Sequence, residues 1–411
     1  MTIDGRLYGL PRLSNAYDAL PMMFVRQDWL DRLGLGMPAT MDELMEVARA
    51  FTYSDPDGNG ANDTYGLAID GVDVFTGGMG DANAPFYAFG AYPGPDAMAF
   101  IEGSDGKVAW GGANAEGMKK ALVFLQEMYK DGSLAKDFIT MDSQKVFEEA
   151  GSGRCGIWFG PMWGAMQPST DLMRAGFMDA HVTSGPIPDG LGQGGSRPFL
   201  KASIESVFMM SSKCENPEAL IKLMNLSIQK MCFPESDDEY NKYAGIGDAS
   251  SGWKCALTNI SGMPFKNYDV FKTVYPAVEK RDPSGLSTEQ ASYYKPIVQY
   301  LDTLAAGAVD LDDGMTAMGI QRYTVFADPQ GSYAALDKLI KADQFVYSAY
   351  STGPTKNMAE FAPTLKKLTA ETIVKIITGE SADTYDSFLE NWRKLGGTEV
   401  VADAQAWADA Q

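Results

Sequence analysis

Histidine is almost absent from the 411 residues, with His181 the single one. Catalytic triads and most zinc sites need imidazole paired with further ligands, so both lose their usual basis. The four cysteines, Cys155, Cys214, Cys232 and Cys255, form no CxxC pair. They read as small buried hydrophobes, or, for an exported chain, as a Cys232–Cys255 disulfide. No run of about eighteen apolar residues is present, so no helix of spanning length is expected. No dense basic run occurs either, and 34 Lys+Arg against 54 Asp+Glu leave a net charge of −20. That mean field repels nucleic acid and anionic membrane surfaces.

The common catalytic signatures HExxH, GxSxG and GxxxxGK[ST] are missing as well. GLGQGG, Gly190 to Gly195, follows Pro186 and Pro188 and precedes Pro198, with no helix opening there. A dinucleotide loop opens a helix, so this stretch reads as a flexible loop. A glycosidase needs only two placed carboxylates, which leaves a carbohydrate-active enzyme as an alternative reading among 54 acids.

What is present points to layered α/β structure. Composition is 45% hydrophobic with 43 glycines and 21 prolines, a loop-rich globular chain long enough for two lobes. Short strands are expected at Arg6 to Leu10, Met22 to Arg26, Tyr65 to Ile69, Gly156 to Phe159 and Ser206 to Met210. Thr40 with Glu43 forms a capping box for a helix whose apolar face is Met41, Leu44, Met45, Ala48 and Phe51. Asn114 caps a second helix that closes at Gly132, and Asn216–Pro217 opens a third. Two more are expected at Ala359 to Thr378 and Thr384 to Leu395. Strands alternating with helices make an α/β fold.

Between the Thr40 helix and the Tyr65 strand lies SDPDGNGANDTYG, Ser54 to Gly66. Asp55, Asp57 and Asn59 alternate, Gly60 holds the sixth position, Ala61 offers a carbonyl and Asp63 is ninth. Alternation turns oxygens toward one centre, the donor type that calcium prefers. The twelfth position, where a bidentate glutamate is usual, is Gly66, so Thr64 or water would have to complete the shell. A surface turn rich in Asx and Gly is the plain alternative.

Aromatic residues carry the other signal. In CGIWFGPMWG, Trp158 and Trp163 flank a Gly- and Pro-punctuated turn, a setting that presents flat rings to a sugar face. Tyr87 and Tyr92, in NAPFYAFGAYPG, and Trp253, in SSGWKC, are further candidates. For Trp158 a core position is an equal alternative.

Together LYGLPR (7–12), FVRQDWLDRLGL with PATMDEL, DPDGNGANDTYGL, ALVFLQEMYKDGSL (121–134), STGPTKNM (351–358), TIVKIITGE and FLENWRKLGG resemble one family. It is the extracytoplasmic solute-binding lipoproteins of bacterial ABC importers, in the large carbohydrate-binding subgroup that includes the alginate-binding proteins. The resemblance extends over nearly the whole chain.

It implies a two-lobed periplasmic-binding-protein fold of type II character, with helices flanking mixed sheets, a hinge, and ligand held between the lobes. Residues 20–185 with 356–411 would form the second lobe, and 1–19 with 186–355 the remainder of the first. In the family a signal peptide, a lipid-modified cysteine and a segment on the order of a hundred residues precede the stretch that LYGLPR resembles. The chain therefore reads as starting late, with membrane association only through an anchor outside it. The resemblance further implies a structural calcium on Asp55, Asp57, Asn59, the Ala61 carbonyl and Asp63, remote from the sugar. A monomeric receptor outside the cytoplasm, at the cell surface or in the periplasm, would hand an oligosaccharide to a permease without chemistry of its own. A peptide or other polar solute is the alternative ligand.

Overall fold

The computed structural model describes residues 2–3, 6–13, 17–201, 204–243 and 265–411. Trp253 and Cys255 lie outside the described residues, as does the side chain of Cys232, and with them the expected disulfide. Cys155 is a buried free thiol and Cys214 an exposed one. Among the described residues no helix is long and apolar enough to cross a membrane.

The chain divides into two compact units, 1–17 with 202–328, and 18–201 with 329–411. In the smaller unit, the strand Leu10–Leu13 pairs antiparallel with Ile204–Phe208. Around that pair the chain is helical, chiefly Glu218–Cys232, Lys266–Lys280, Thr288–Ala305 and Gly314–Phe326. Val270, Val274, Ile297 and Ile320 make its core.

The larger unit is built on a four-stranded mixed sheet. Its order is Tyr65–Ala68, Cys155–Gly160, Met22–Arg26, Val182–Gly185. The first two strands are parallel and the remaining pairings antiparallel. Met22–Arg26 and Cys155–Gly160 are buried along their whole length, as central strands covered on both faces must be. The helix Met41–Tyr53 covers the sheet with Leu44, Ala48 and Phe51, all fully buried, Leu44 and Phe51 each contributing about 1.5–3 kcal/mol. Its predicted capping box is present, Thr40 Oγ1 accepting from Glu43 N and Glu43 Oε2 from Thr40 N. Asn114 caps the helix Ala115–Asp131, and Gly132 closes it in a left-handed conformation.

The boundaries of these units differ from the lobe limits expected at 185 and 356. Residues 186–201 and 329–355 pack with the larger unit because backbone pairing ties them there. Phe199–Leu200 runs parallel with Val346–Tyr347, Ser184 N donates to Gln330 O at 2.7 Å, and Ala349 N to Phe100 O at 2.8 Å. The C-terminal helices also differ in detail. Thr384–Trp392 ends three residues early and bends through Arg393–Gly397 into Thr398–Ala408. The glycine loop at 190–195 is tethered, since the Asp189 carboxylate accepts from the amides of Leu191, Gly192, Gly194 and Gly195 at 2.6–3.1 Å.

Candidate functional site

The aspartate loop is anchored at both ends. Arg32 Nη1 donates to Pro56 O at 2.9 Å, and Thr64 Oγ1 to Phe51 O at 2.8 Å. Between these anchors the chain folds around the Asp55 carboxylate, which accepts from Asn59 N and Gly60 N, both at 3.1 Å. Gly60 turns with φ +78°, as the sixth position requires. Asn59 Nδ2 lies 2.9 Å from Asp57 Oδ2 and 3.2 Å from Asp63 Oδ1. Partial burial, and then the nearby Asp63 and Asp55 carboxylates, push the Asp57 pKa up against the backbone hydrogen bond from Asn59.

Asp55, Asp57, Asn59 and Asp63 are thus gathered, with oxygen donors and excess negative charge, the chemistry a hard cation answers. As they stand, the carboxylates surround the Asn59 amide and not a common centre; among the described residues no group of three or more His, Cys, Asp or Glu is arranged to hold a metal. Ala61 N donates to Asn59 Oδ1 at 2.6 Å, so a cation on this loop needs the Asn59 amide turned to present its oxygen. Thr64, expected as a possible ligand, is buried and donates its hydroxyl to Phe51 O. Gly66 cannot be replaced by the usual glutamate. A Cβ there would sit 2.6 Å from Ala48 Cα and O, because the strand lies directly on the Met41–Tyr53 helix.

The aromatic candidates separate by burial. Trp158 is fully buried, stacked on Phe24 with centroids 5.9 Å apart, its Nε1 donating to Gly164 O. Its place on a strand covered on both faces makes it core, the alternative that the sequence left open. Tyr87 and Tyr92 are also buried and stack on each other at 5.3 Å. Trp163 is half-buried and lies 5.7 Å from Phe147 with ring planes 16° apart.

Trp163 stands just beyond the carboxyl end of Cys155–Gly160, and Asp70 beyond the parallel Tyr65–Ala68 strand. The carboxyl edge of parallel strands is where α/β sheets place ligands. A loop folds back over this edge, with Gly80 N donating to Phe159 O and Asp70 N to Gly80 O. Ser143 Oγ, on the helix Ser143–Gly151, donates to Asp70 Oδ2 at 3.1 Å and lies 3.1 Å from Thr76 Oγ1. Phe147 follows one turn later on that helix. The result is an aromatic pair beside two hydroxyls, backed by a buried carboxylate.

Deeper lies Asp81, whose Oδ1 accepts from the Asn83 backbone and side-chain nitrogens at 3.1 and 2.8 Å. Burial pushes its carboxyl up to about 6, with Asp73 and Asp70 adding to the rise and the Asn83 bonds opposing it. Burial likewise raises Asp70 and Tyr87, and Asp81 adds to the rise of Tyr87. Sequence patterning missed Asp70, Ser143, Thr76 and Phe147. The available signal was position, since Asp70 directly follows the apolar strand YGLAI.

Comparison with known proteins accounts for this architecture. The sequence profile of the family described as bacterial extracellular solute-binding protein matches residues 9–228. Lipoprotein LipO of Bacillus subtilis is 26% identical over 404 residues, 98% of this chain and 71% of LipO. Among solved structures, the Streptococcus pneumoniae ABC-transporter substrate-binding protein FusA, an EF-hand mutant in complex with fructo-nystose, aligns with TM-score 0.58. The alignment is 17% identical and covers 99% of this chain and 77% of FusA. The alginate-binding protein AlgQ2, in a structure without calcium ion, aligns with TM-score 0.55 and 16% identity over 99% of this chain and 75% of AlgQ2. These two likenesses establish a shared fold.

Proposed function

The chain belongs to the bacterial extracellular solute-binding protein family, and from that premise we propose that it captures an oligosaccharide outside the cytoplasm for an ABC importer. The observation that carries the reading is the Phe147–Trp163 aromatic pair beside Thr76 and Ser143 at the carboxyl edge of the larger unit. Flat apolar rings match the C–H face of a sugar, and hydroxyls and carboxylates accept and return its hydrogen bonds. FusA carries fructo-nystose and AlgQ2 is named for alginate, so relatives of this fold take both neutral and acidic chains. Asp70, Asp73 and Asp81 near the edge, within a chain of net charge −20, favour the neutral class here. The protein binds and releases its ligand at the cell surface or in the periplasm, and a membrane permease accepts it.

A structural calcium on the aspartate loop is part of the same reading. Asp55, Asp57, Asn59, the Ala61 carbonyl and Asp63 would hold it, and the ion would fix the turn between the Met41–Tyr53 helix and the Tyr65 strand. The EF-hand named for FusA and the calcium named for AlgQ2 support this.

Isothermal titration with neutral and acidic oligosaccharides, with calcium and after chelation, tests both parts. Saturable heat with a neutral oligosaccharide and a Trp163-dependent fluorescence change are expected. Binding of no oligosaccharide, or cleaved products in the mass spectrum after long incubation, would overturn the reading.

A further inference from the structure

Lys366 lies on the long helix Lys356–Ile377, away from the aromatic pair, yet it is bonded to the loop that forms the edge. Its Nζ donates to Asp73 Oδ2 at 3.1 Å and to Asp96 Oδ1 at 2.8 Å. Asp73 is itself committed on its other side. Its backbone N donates to Asp70 Oδ1 at 2.7 Å, and its Oδ1 accepts from Phe75 N at 3.3 Å. Asp70 in turn receives Ser143 Oγ. One ammonium is therefore linked, through two carboxylates and one amide, to the hydroxyl beside the aromatic pair.

The second carboxylate comes from an unusual turn. Asp96 and Ala97 have φ of +56° and +55°, conformations that L residues rarely adopt and that persist where surroundings hold them. Backbone bonds close the turn, Ala97 N to Gly94 O and Ala99 N to Pro93 O, and Gly94 N is held by Asn83 Oδ1. Asn83 also bonds Asp81, so the turn and the buried acid share a neighbour. Partial burial pulls the Lys366 ammonium down, but its bonds to Asp96 and Asp73 outweigh that and leave its pKa raised. Asp96 also faces Lys201, the last residue of this unit before the chain crosses into the other.

Between the loop and the helix runs an open groove of about 940 Å³, lined by Gly71, Val72 and Asp73 on one side and by Pro363, Ala370 and Val374 on the other. At this groove Val72 is 62% exposed, while the loop is held from its other side by Gly71 N and Val72 N donating to Met141 O at 3.0 and 3.2 Å and by buried Val74 and Phe75. On the side facing the helix, Lys366 spans this gap with its two ion pairs.

We propose that Lys366 is a positioning residue for the oligosaccharide edge, a clasp that ties Asp73 and the strained Gly94–Ala97 turn to one helix and so sets Asp70 and Ser143. The effect on ligand rests on the reading of that edge given above; the clasp itself does not.

The test compares wild type, Lys366→Met, Lys366→Arg and Asp96→Asn in the full chain, by oligosaccharide titration and by hydrogen exchange without ligand. Lys366→Met is expected to weaken binding about tenfold and to speed amide exchange in segments 70–78 and 93–99 together. Lys366→Arg should restore both, since a guanidinium can span the same two carboxylates. The melting temperature should stay within about 4 °C of wild type, because a partly exposed ion pair adds little global stability. Asp96→Asn, at a 71% exposed side chain, should reproduce the exchange change should Lys366→Met fold poorly. Exchange unchanged in both segments overturns the clasp, and faster exchange with wild-type affinity overturns the positioning role. Wild-type protein that binds no oligosaccharide removes the ligand reading, while the exchange comparison still decides the clasp.

Discussion

Asn59 and Asp63 face each other across the aspartate loop, the amide nitrogen 3.2 and 3.3 Å from the two carboxylate oxygens. That amide thereby offsets the charge of Asp57 and Asp63, while backbone amides answer Asp55, which is the part a calcium ion would take over.

Calcium should therefore raise the melting temperature. A ligand at a hundredfold its Kd stabilises by about 2.7 kcal/mol, and a domain of this size gains roughly 2–4 °C per kcal/mol. Asp57→Asn should weaken the calcium effect while making the chelated protein no less stable, since it removes a carboxylate whose charge is already disfavoured. Scanning calorimetry with calcium, magnesium and chelator reads both, and a melting temperature indifferent to calcium would remove the cation from this loop.

The two tryptophans of the CGIWFGPMWG stretch should separate cleanly. Trp158→Ala empties a fully buried site and should cost about 3–5 kcal/mol in denaturant unfolding. Trp163→Ala should leave the fold intact and weaken oligosaccharide binding about tenfold, equivalent to about 1.4 kcal/mol. Equal stability losses in the two variants would show that Trp163 is as structural as Trp158.

Gly66→Ala should destabilise by about 1–3 kcal/mol or more, because its methyl meets Ala48 backbone that cannot move aside. Gly66→Glu should lower stability further without improving calcium affinity. A urea midpoint unchanged by Gly66→Ala would mean that the strand and helix can separate at little cost.

Asp81 makes stability depend on pH in an unusual direction. Its carboxyl titrates near 6 when folded and near 3.8 when unfolded, so the folded chain binds more protons between those values. Stability from this group is greatest at low pH and is lost as pH rises from about 3.8 to about 6, by up to about 3 kcal/mol. Asp81→Asn keeps an oxygen for Asn83 and should remove this component. Subtracting the variant's stability curve from that of the wild type isolates the group from other carboxylates. A flat difference between pH 4 and 7 would place Asp81 at an ordinary value.

The sequence by itself determined the local elements and the family. The Thr40–Glu43 capping box, the Asn114 cap and the Gly132 stop act within a few residues of themselves, so pattern alone locates them. The aspartate loop was legible for the same reason, its ligand-type residues lying within nine positions. What pattern could not decide was which side of a sheet a ring faces and which distant residues meet. Trp158 and Trp163 share one short motif, but the layers packed on both faces of the strand bury the first, while the second falls beyond the strand's end. Asp70, Thr76, Ser143, Phe147 and Trp163 span ninety-odd positions and converge only because two parallel strands end together, a register that tertiary packing sets. Lys366 is more remote still, nearly three hundred residues from Asp73, brought there by a helix that the sequence indicates but whose docking it does not specify. Likewise, segments 186–201 and 329–355 joined the larger unit through backbone hydrogen bonds, which carry no side-chain signature for a sequence to display.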